Sequence, residues 1–163
     1  MVTMRHAFAP LLLTAAVLLT ACQTNTSTFT HQQVEAMQSY GFKPTDSGWS
    51  LGMSDKILFD TEQFRLKPAS EQKIQGMAQH LAQVGITHVH FNGYTDNYGD
   101  RQYNLTLSLK RANAVADAWS EGTNIPRTNL TTEGLGDKYP VASNATREGR
   151  AENRHVAVVI TAP

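Results

Sequence analysis

Between Thr87 and Trp119 the hydrophobic pattern changes period once, and that change limits what the chain can become. Thr87-His88-Val89-His90-Phe91 alternates, placing Val89 and Phe91 on one side of a strand with a single buried face. The stretch Asn92-Gly93-Tyr94-Thr95-Asp96-Asn97-Tyr98-Gly99 is polar and punctuated by glycine. From Tyr103 to Trp119 the residues Leu105, Leu109, Ala112, Val115, Ala116 and Trp119 recur at helical spacing. On a wheel of about 100° per residue they share one side, with Asn104, Ser108 and Arg111 as a polar stripe at its border. A strand, a loop of backbone amides and a helix bordered by an arginine can receive a carboxylate. Asp96 adds the opposite charge for an ammonium, and a ligand carrying both groups is an amino acid. The same Asp and Arg can also form an ordinary structural ion pair, the commoner use of such residues.

Toward the N-terminus, Arg5 and His6 precede an apolar run, Ala7–Ala21, too short for an ordinary membrane span. It ends in Leu19-Thr20-Ala21-Cys22, a small-residue export cleavage pattern followed by the chain's only cysteine, which rules out an intramolecular disulfide. Residues 1–21 therefore read as a signal peptide. Residues 22–45 read as a tether bearing a short helix, and 46–163 as one domain large enough to bury a core. Residues 23–30 are polar and low in complexity. Thr30 can cap a helix over His31–Tyr40 closed by Gly41, with Val34 and Met37 as a thin apolar stripe. Lys43–Gly48 is a turn cluster, Trp49–Met53 a short edge strand, and Lys56-Ile57-Leu58-Phe59-Asp60 a buried strand. Val34, Met37, Tyr40, Phe42, Trp49 and Leu51 are too apolar for a plain spacer, so this segment is expected to dock on the domain. Pro68 suits the first turn of a helix whose Ile74, Met77, Ala78, Leu81 and Val84 face the core, ended by Gly85. Gly122 ends the long helix, Asn129–Gly134 is a third strand, and Asp137–Arg150 is loop with one helical turn. Val156–Thr161 is a final strand buried on both faces. Strands alternating with helices argue an α/β fold, an α+β sandwich with helices on one face of a small mixed sheet.

Fourteen Lys and Arg balance fourteen Asp and Glu, and no basic run interleaves with aromatics, which argues against nucleic-acid binding. His88 and His90 offer two metal ligands from one strand face without an evident third, so no metal or cofactor is expected. Ser108 has no histidine in a triad order. Asp60 and Asp96 both follow strands, but neither stands in the apolar setting that an acid/base pair for glycoside hydrolysis requires. The chain reads as a binder rather than an enzyme.

Several motifs in order carry a resemblance. Gly93-Tyr94-Thr95-Asp96-Asn97, Tyr103-Asn104, Leu107-Ser108, Arg111-Ala112, Gly134-Leu135-Gly136, Pro140, Gly149-Arg150 and Asn153-Arg154 are similar to those of the OmpA-like peptidoglycan-binding domain over about the last hundred residues. The resemblance implies an OmpA C-terminal-like fold and a non-covalent grip on the diaminopimelate of the peptidoglycan stem peptide. It gives Asp96 the ammonium and Arg111 the carboxylate, with the amides of Asn97, Tyr98 and Gly99 on the same carboxylate. It also implies that Asn104 orders the site, Asp60 and Thr61 line it, and Arg154 and Asn153 support it. Tyr94 stands where many members have His, and His155 where many have a second Arg. The Leu-Thr-Ala-Cys segment resembles a bacterial lipobox, which implies that Cys22 is lipidated, and Gln23 resembles a signal for the outer membrane. The implied role is an outer-membrane lipoprotein on the periplasmic face that links envelope to wall. The alternative implied within the same family is a regulatory lipoprotein that sequesters a periplasmic repressor of a membrane diguanylate cyclase.

Overall fold

The structure is a computed structural model that describes residues 28–60 and 64–162. Cys22 and Thr61 lie outside the described residues, as do the expected signal peptide and the first six residues, 22–27, of the expected tether.

Helix α1, His31–Ser39, begins where Thr30 and Gln33 cap each other. The Gln33 amide donates to Thr30 Oγ1 at 3.2 Å, and the Thr30 amide donates to Gln33 Oε1 at 2.9 Å. Gly41, at φ +88°, turns the chain out of it. Strand β1, Lys43–Thr45, then pairs antiparallel with β2, Gly48–Ser54. The turn cluster expected over Lys43–Gly48 is thus a hairpin. The position between residues 45 and 46 falls at its tip. The apolar side of this segment is docked: Met37 and Phe42 are fully buried, Phe29, Val34, Tyr40, Trp49 and Leu51 pack on the core, and the Tyr40 hydroxyl lies 3.1 Å from His80 Nδ1.

Two expectations are corrected next. Trp49–Met53 belongs to an interior strand, because β1 takes the edge position beside it. Residues 56–60 are not a buried strand. Asp55–Leu58 form one short helix, α2, Ile57 is 63% exposed, and Phe59 makes only an isolated bridge to Leu66. Three consecutive apolar residues are too few to separate a period of 2 from one of 3.6.

Helix α3, Pro68–Gln83, opens on proline and buries Ile74, Met77, Ala78 and Leu81. Strand β3, Val89–Tyr94, alternates buried and half-buried residues as expected. Helix α4, Arg101–Glu121, follows, and β4, Leu130–Gly136, returns parallel to β3 after a single 3-10 turn at Arg127–Asn129. The segment expected as loop contains α5, Arg147–Asn153, two turns rather than one. Strand β5, His155–Ile160, runs up the middle of the sheet, whose order is β1-β2-β5-β3-β4. Val156, Ala157, Val158 and Ile160 of β5 are buried, while His155 and Val159 are half-covered. The sheet is mixed, and α4 and α3 cover the face built from Val89, Phe91, Val156 and Val158, with Trp119 edge-on to Phe91 at 5.5 Å between ring centres. This is the expected α/β sandwich. No helix among the described residues is long and apolar enough to cross a membrane.

The expected wheel of α4 needs rotating. Leu109 is 39% exposed, whereas Asn104, Ser108 and Arg111 are buried. The polar stripe faces inward because β3 and β4 present glycines beneath it. A Cβ on Gly93 would run into the Ser108 carbonyl oxygen, and one on Gly134 would sit 2.5 Å from the Leu105 carbonyl oxygen. Helix and sheet therefore touch backbone to backbone. Ser108, fully buried, spends its hydroxyl as a tie between them, accepting the Gly136 amide at 3.1 Å and donating to the Leu105 carbonyl at 2.9 Å.

Candidate functional site

An open cleft of about 1080 Å³ lies where α2, the β3–α4 loop, the first half of α4 and the α5–β5 junction meet. Four charged side chains from four distant parts of the chain alternate across its floor. Arg111 Nη1 lies 3.6 Å from Asp55 Oδ2, Arg154 Nε is 3.0 Å from the same oxygen, and Arg154 Nη1 is 2.7 Å from Asp96 Oδ2. All four side chains are largely shielded from solvent, Arg154 least so.

Each is placed by its element. Asp96 is the second residue of the loop after β3, where its Oδ1 accepts the Tyr98 amide at 2.9 Å and closes a tight Asx turn. Asn104, on the first turn of α4, donates to the Tyr98 carbonyl at 2.9 Å and holds that turn against the helix. Asp100 caps α4 by accepting the Tyr103 amide at 2.7 Å. Arg111 is presented two turns further along α4, its guanidinium 5.2 Å above the Phe59 ring. Burial pulls the Arg111 guanidinium below its ordinary pKa, against the attraction of Asp55. For Arg154 burial works in the same downward direction, but hydrogen bonding to Asp96 and the pull of Asp55 outweigh it and hold the pKa above its ordinary value.

The cleft brings together Asp96, Tyr98, Gly99, Asn104, Arg111 and Asp60, all residues named from sequence. Asp60 stands exposed at its edge. Two of the loop amides have partners within the protein. That of Tyr98 is taken by Asp96, and that of Asn97 points to Asn144 Oδ1 at 3.4 Å. Asn153 is not in the cleft. Its side-chain oxygen accepts the Val141 and Ala142 amides at 2.8 and 2.9 Å, and its NH₂ donates to Asn144 Oδ1 at 2.9 Å, so it braces the loop that touches Asn97. Arg154, expected as support, lines the cleft and bonds Asp96 directly.

Asp55 belongs to none of the motifs that name the site, because it precedes a run whose pattern reads as strand. The available signal was Ser54-Asp55 ahead of Lys56-Ile57-Leu58, an acidic residue in a helical first turn. Asp55 Oδ1 is buried and has no hydrogen-bond partner among the described residues. Leaving a buried acceptor unmade costs about 1–3 kcal/mol, more for a charged group. The two arginines must therefore supply the compensation. No group of three His, Cys, Asp or Glu suited to a metal occurs among the described residues.

Tyr94 and His155, the two departures from the resembled pattern, meet each other. Their rings stack at 4.5 Å and 19°, and neither lines the cleft. Arg154 and His155 are consecutive at the start of β5 and so point to opposite sides. Burial lowers the pKa of His155, against hydrogen bonds to the Glu152 and Asn153 carbonyls. The folded state thus holds His155 neutral where the unfolded chain, with an ordinary value of about 6.5, takes up a proton. Stability contributed by the neutral ring is present above about pH 6.5 and is lost as pH falls toward the folded pKa. Denaturant midpoints measured from pH 7 down to pH 5 should fall more steeply for the wild type than for His155→Gln. Parallel curves would show that the ring is not held neutral.

Residues 58–154 match the OmpA family. Over 159 residues the chain is 58% identical to the YfiB lipoprotein of Escherichia coli strain K12, covering 98% of this chain and 99% of that one. It is 42% identical over 146 residues to the outer-membrane lipoprotein YfiB of Pseudomonas aeruginosa, covering 88% and 86%. The crystal structure of the peptidoglycan-associated lipoprotein from Burkholderia pseudomallei superposes with a TM-score of 0.55 at 30% identity, over 63% of this chain and 86% of that one. With its family match, its near-full-length relatives and its fold in agreement, the chain belongs to the OmpA family.

Proposed function

We propose that this chain is an outer-membrane lipoprotein that binds peptidoglycan without cleaving it, through the diaminopimelate of the stem peptide. The observation that carries the reading is the alternating line Arg111–Asp55–Arg154–Asp96 on the floor of an open cleft. Two guanidiniums and two carboxylates suit a ligand end that carries a carboxylate and an ammonium side by side. Arg111 and Arg154 take the carboxylate, Asp96 takes the ammonium, and Asp60 contacts the rest of the stem peptide at the rim. Charge-assisted hydrogen bonds contribute about 1.5–3 kcal/mol each, so two or three of them, less the cost of association, give a modest affinity. A lipid on Cys22 confines the protein beside the wall and raises the effective concentration. The names of the YfiB lipoproteins and of the peptidoglycan-associated lipoprotein support this reading. The resemblance implies a second role, capture of a periplasmic repressor of a membrane diguanylate cyclase, which wall binding would support.

The test is co-sedimentation with purified sacculi in the presence of free diaminopimelate or free lysine. Diaminopimelate, with two amino-acid ends, should release the protein, and lysine, with one, should release less. Retention indifferent to both would exclude this ligand. The anchor is tested separately. Cys22→Ser should move the protein out of the outer-membrane fraction in wall-depleted extracts, and a variant that still fractionates there would rule out the lipid at Cys22.

A further inference from the structure

We propose that Asp55 is the positioning residue that sets the charge specificity of the cleft, making it select a zwitterionic ligand end over a purely anionic one. The inference rests on the diaminopimelate reading and assigns the selectivity within that site to a residue outside the motifs that point to it.

Asp55 is tied to Arg154 twice. Its backbone amide donates to the Arg154 carbonyl at 3.0 Å, and its Oδ2 takes the Arg154 Nε at the same distance. That oxygen also faces Arg111 Nη1 at 3.6 Å, so one atom lies between both guanidiniums of the floor. The other oxygen, buried and unbonded among the described residues, contributes charge and no further hydrogen bond. A buried carboxylate kept in this condition acts through its charge and its alignment of the two arginines rather than by touching the ligand.

Among the described residues, Asp55 is what balances the floor. Arg111 and Arg154 are matched by Asp55 and Asp96. Of the rim charges, Lys67 Nζ donates to the Lys56 carbonyl at 2.6 Å and Arg150 Nη1 to the Asn144 carbonyl at 2.9 Å, while the Lys56 cation and the Asp60 anion stand exposed. Removing the Asp55 charge leaves a buried and a part-buried guanidinium against a single described floor carboxylate. A ligand ammonium brought beside Asp96 then meets an uncompensated positive field at short range, where screening by salt is weak. A ligand carboxylate meets a stronger attraction.

The experiment compares two synthetic stem peptides on the full chain in detergent: one ending in meso-diaminopimelate, and one in which the distal ammonium is replaced by hydrogen. The wild type should prefer the zwitterionic peptide by about tenfold. Asp55→Asn keeps the size and helix-start preference of the side chain, and should bring that ratio to about one or below. Asp55→Glu, which keeps the charge, should restore much of the preference. If Asp55→Asn does not fold, the ratio is read on Asp55→Ser. An unchanged ratio in the neutral variants, even with both affinities lowered, marks Asp55 as structural only and overturns the proposal while leaving the diaminopimelate reading intact. A wild type that binds both peptides equally overturns it too. A wild type that binds neither removes the diaminopimelate reading and this inference together.

Discussion

Asp96→Asn should reduce co-sedimentation with sacculi to background at micromolar protein while the melting temperature stays near that of the wild type. The substitution is nearly isosteric. Its side-chain carbonyl can still accept the Tyr98 amide that Asp96 Oδ1 accepts at 2.9 Å, so the turn survives. What disappears is the charge that holds Arg154 at 2.7 Å and would receive the ligand ammonium. Truncating one partner of a buried, hydrogen-bonded charge pair costs about 2–5 kcal/mol of binding, a factor of about 30 or more. Arg111→Ala should lose binding in the same assay. The double variant should lose less than the sum of the singles, because in the proposed mode both residues hold one ligand, and Arg154 bonds Asp96 while sharing Asp55 with Arg111. Wild-type levels of sedimentation by a folded Asp96→Asn variant would exclude the cleft as the wall-binding site.

Gly93→Ala should be the most damaging single methyl that can be added to this chain's sheet. A Cβ at Gly93 would meet the carbonyl carbon and oxygen of Ser108, which belong to helix backbone and not to a side chain that can rotate away. Relief requires α4 to lift from β3, and α4 carries Ala112, Val115, Ala116 and Trp119 into the core. Overpacking costs about 1–3 kcal/mol where side chains can adjust and more where they cannot, so a loss of about 3 kcal/mol or more is expected. At about 2–4 °C per kcal/mol for a domain of this size, thermal unfolding should show a drop of about 10 °C. Lifting α4 also moves Asn104 and Arg111, so wall binding should fail along with stability. A melting temperature within 2 °C or so of the wild type would mean that helix and strand do not touch as described.

Much of the layout could be read from residue pattern because the relevant signals are local. Thr30 and Gln33 specify a helix start within four residues, Pro68 suits a first turn, and Val89 with Phe91 names the buried side of β3. Where the signal was too short or the surroundings unusual, the pattern misled. Ile57-Leu58-Phe59 could not distinguish a helical turn from a strand. The α4 wheel put its polar stripe at the edge because polar residues ordinarily face water, and only Gly93 and Gly134 beneath the helix make their burial workable.

The sequence by itself determined the chain's periods, its caps, and the ordered motifs that mark the OmpA family. Only the tertiary structure decided which charges meet. Residues 55, 96, 111 and 154 converge because β2 pairs with β5 in the register that sets Ser54 opposite His155, while β3 pairs with β5 so that Gly93 faces Val156. Register is a long-range property: it depends on how two faces bury together, and a one-residue slip in either pairing would turn Arg154 away from both aspartates. No local run of residues encodes that, so Asp55 and the central role of Arg154 emerged only with the sheet assembled.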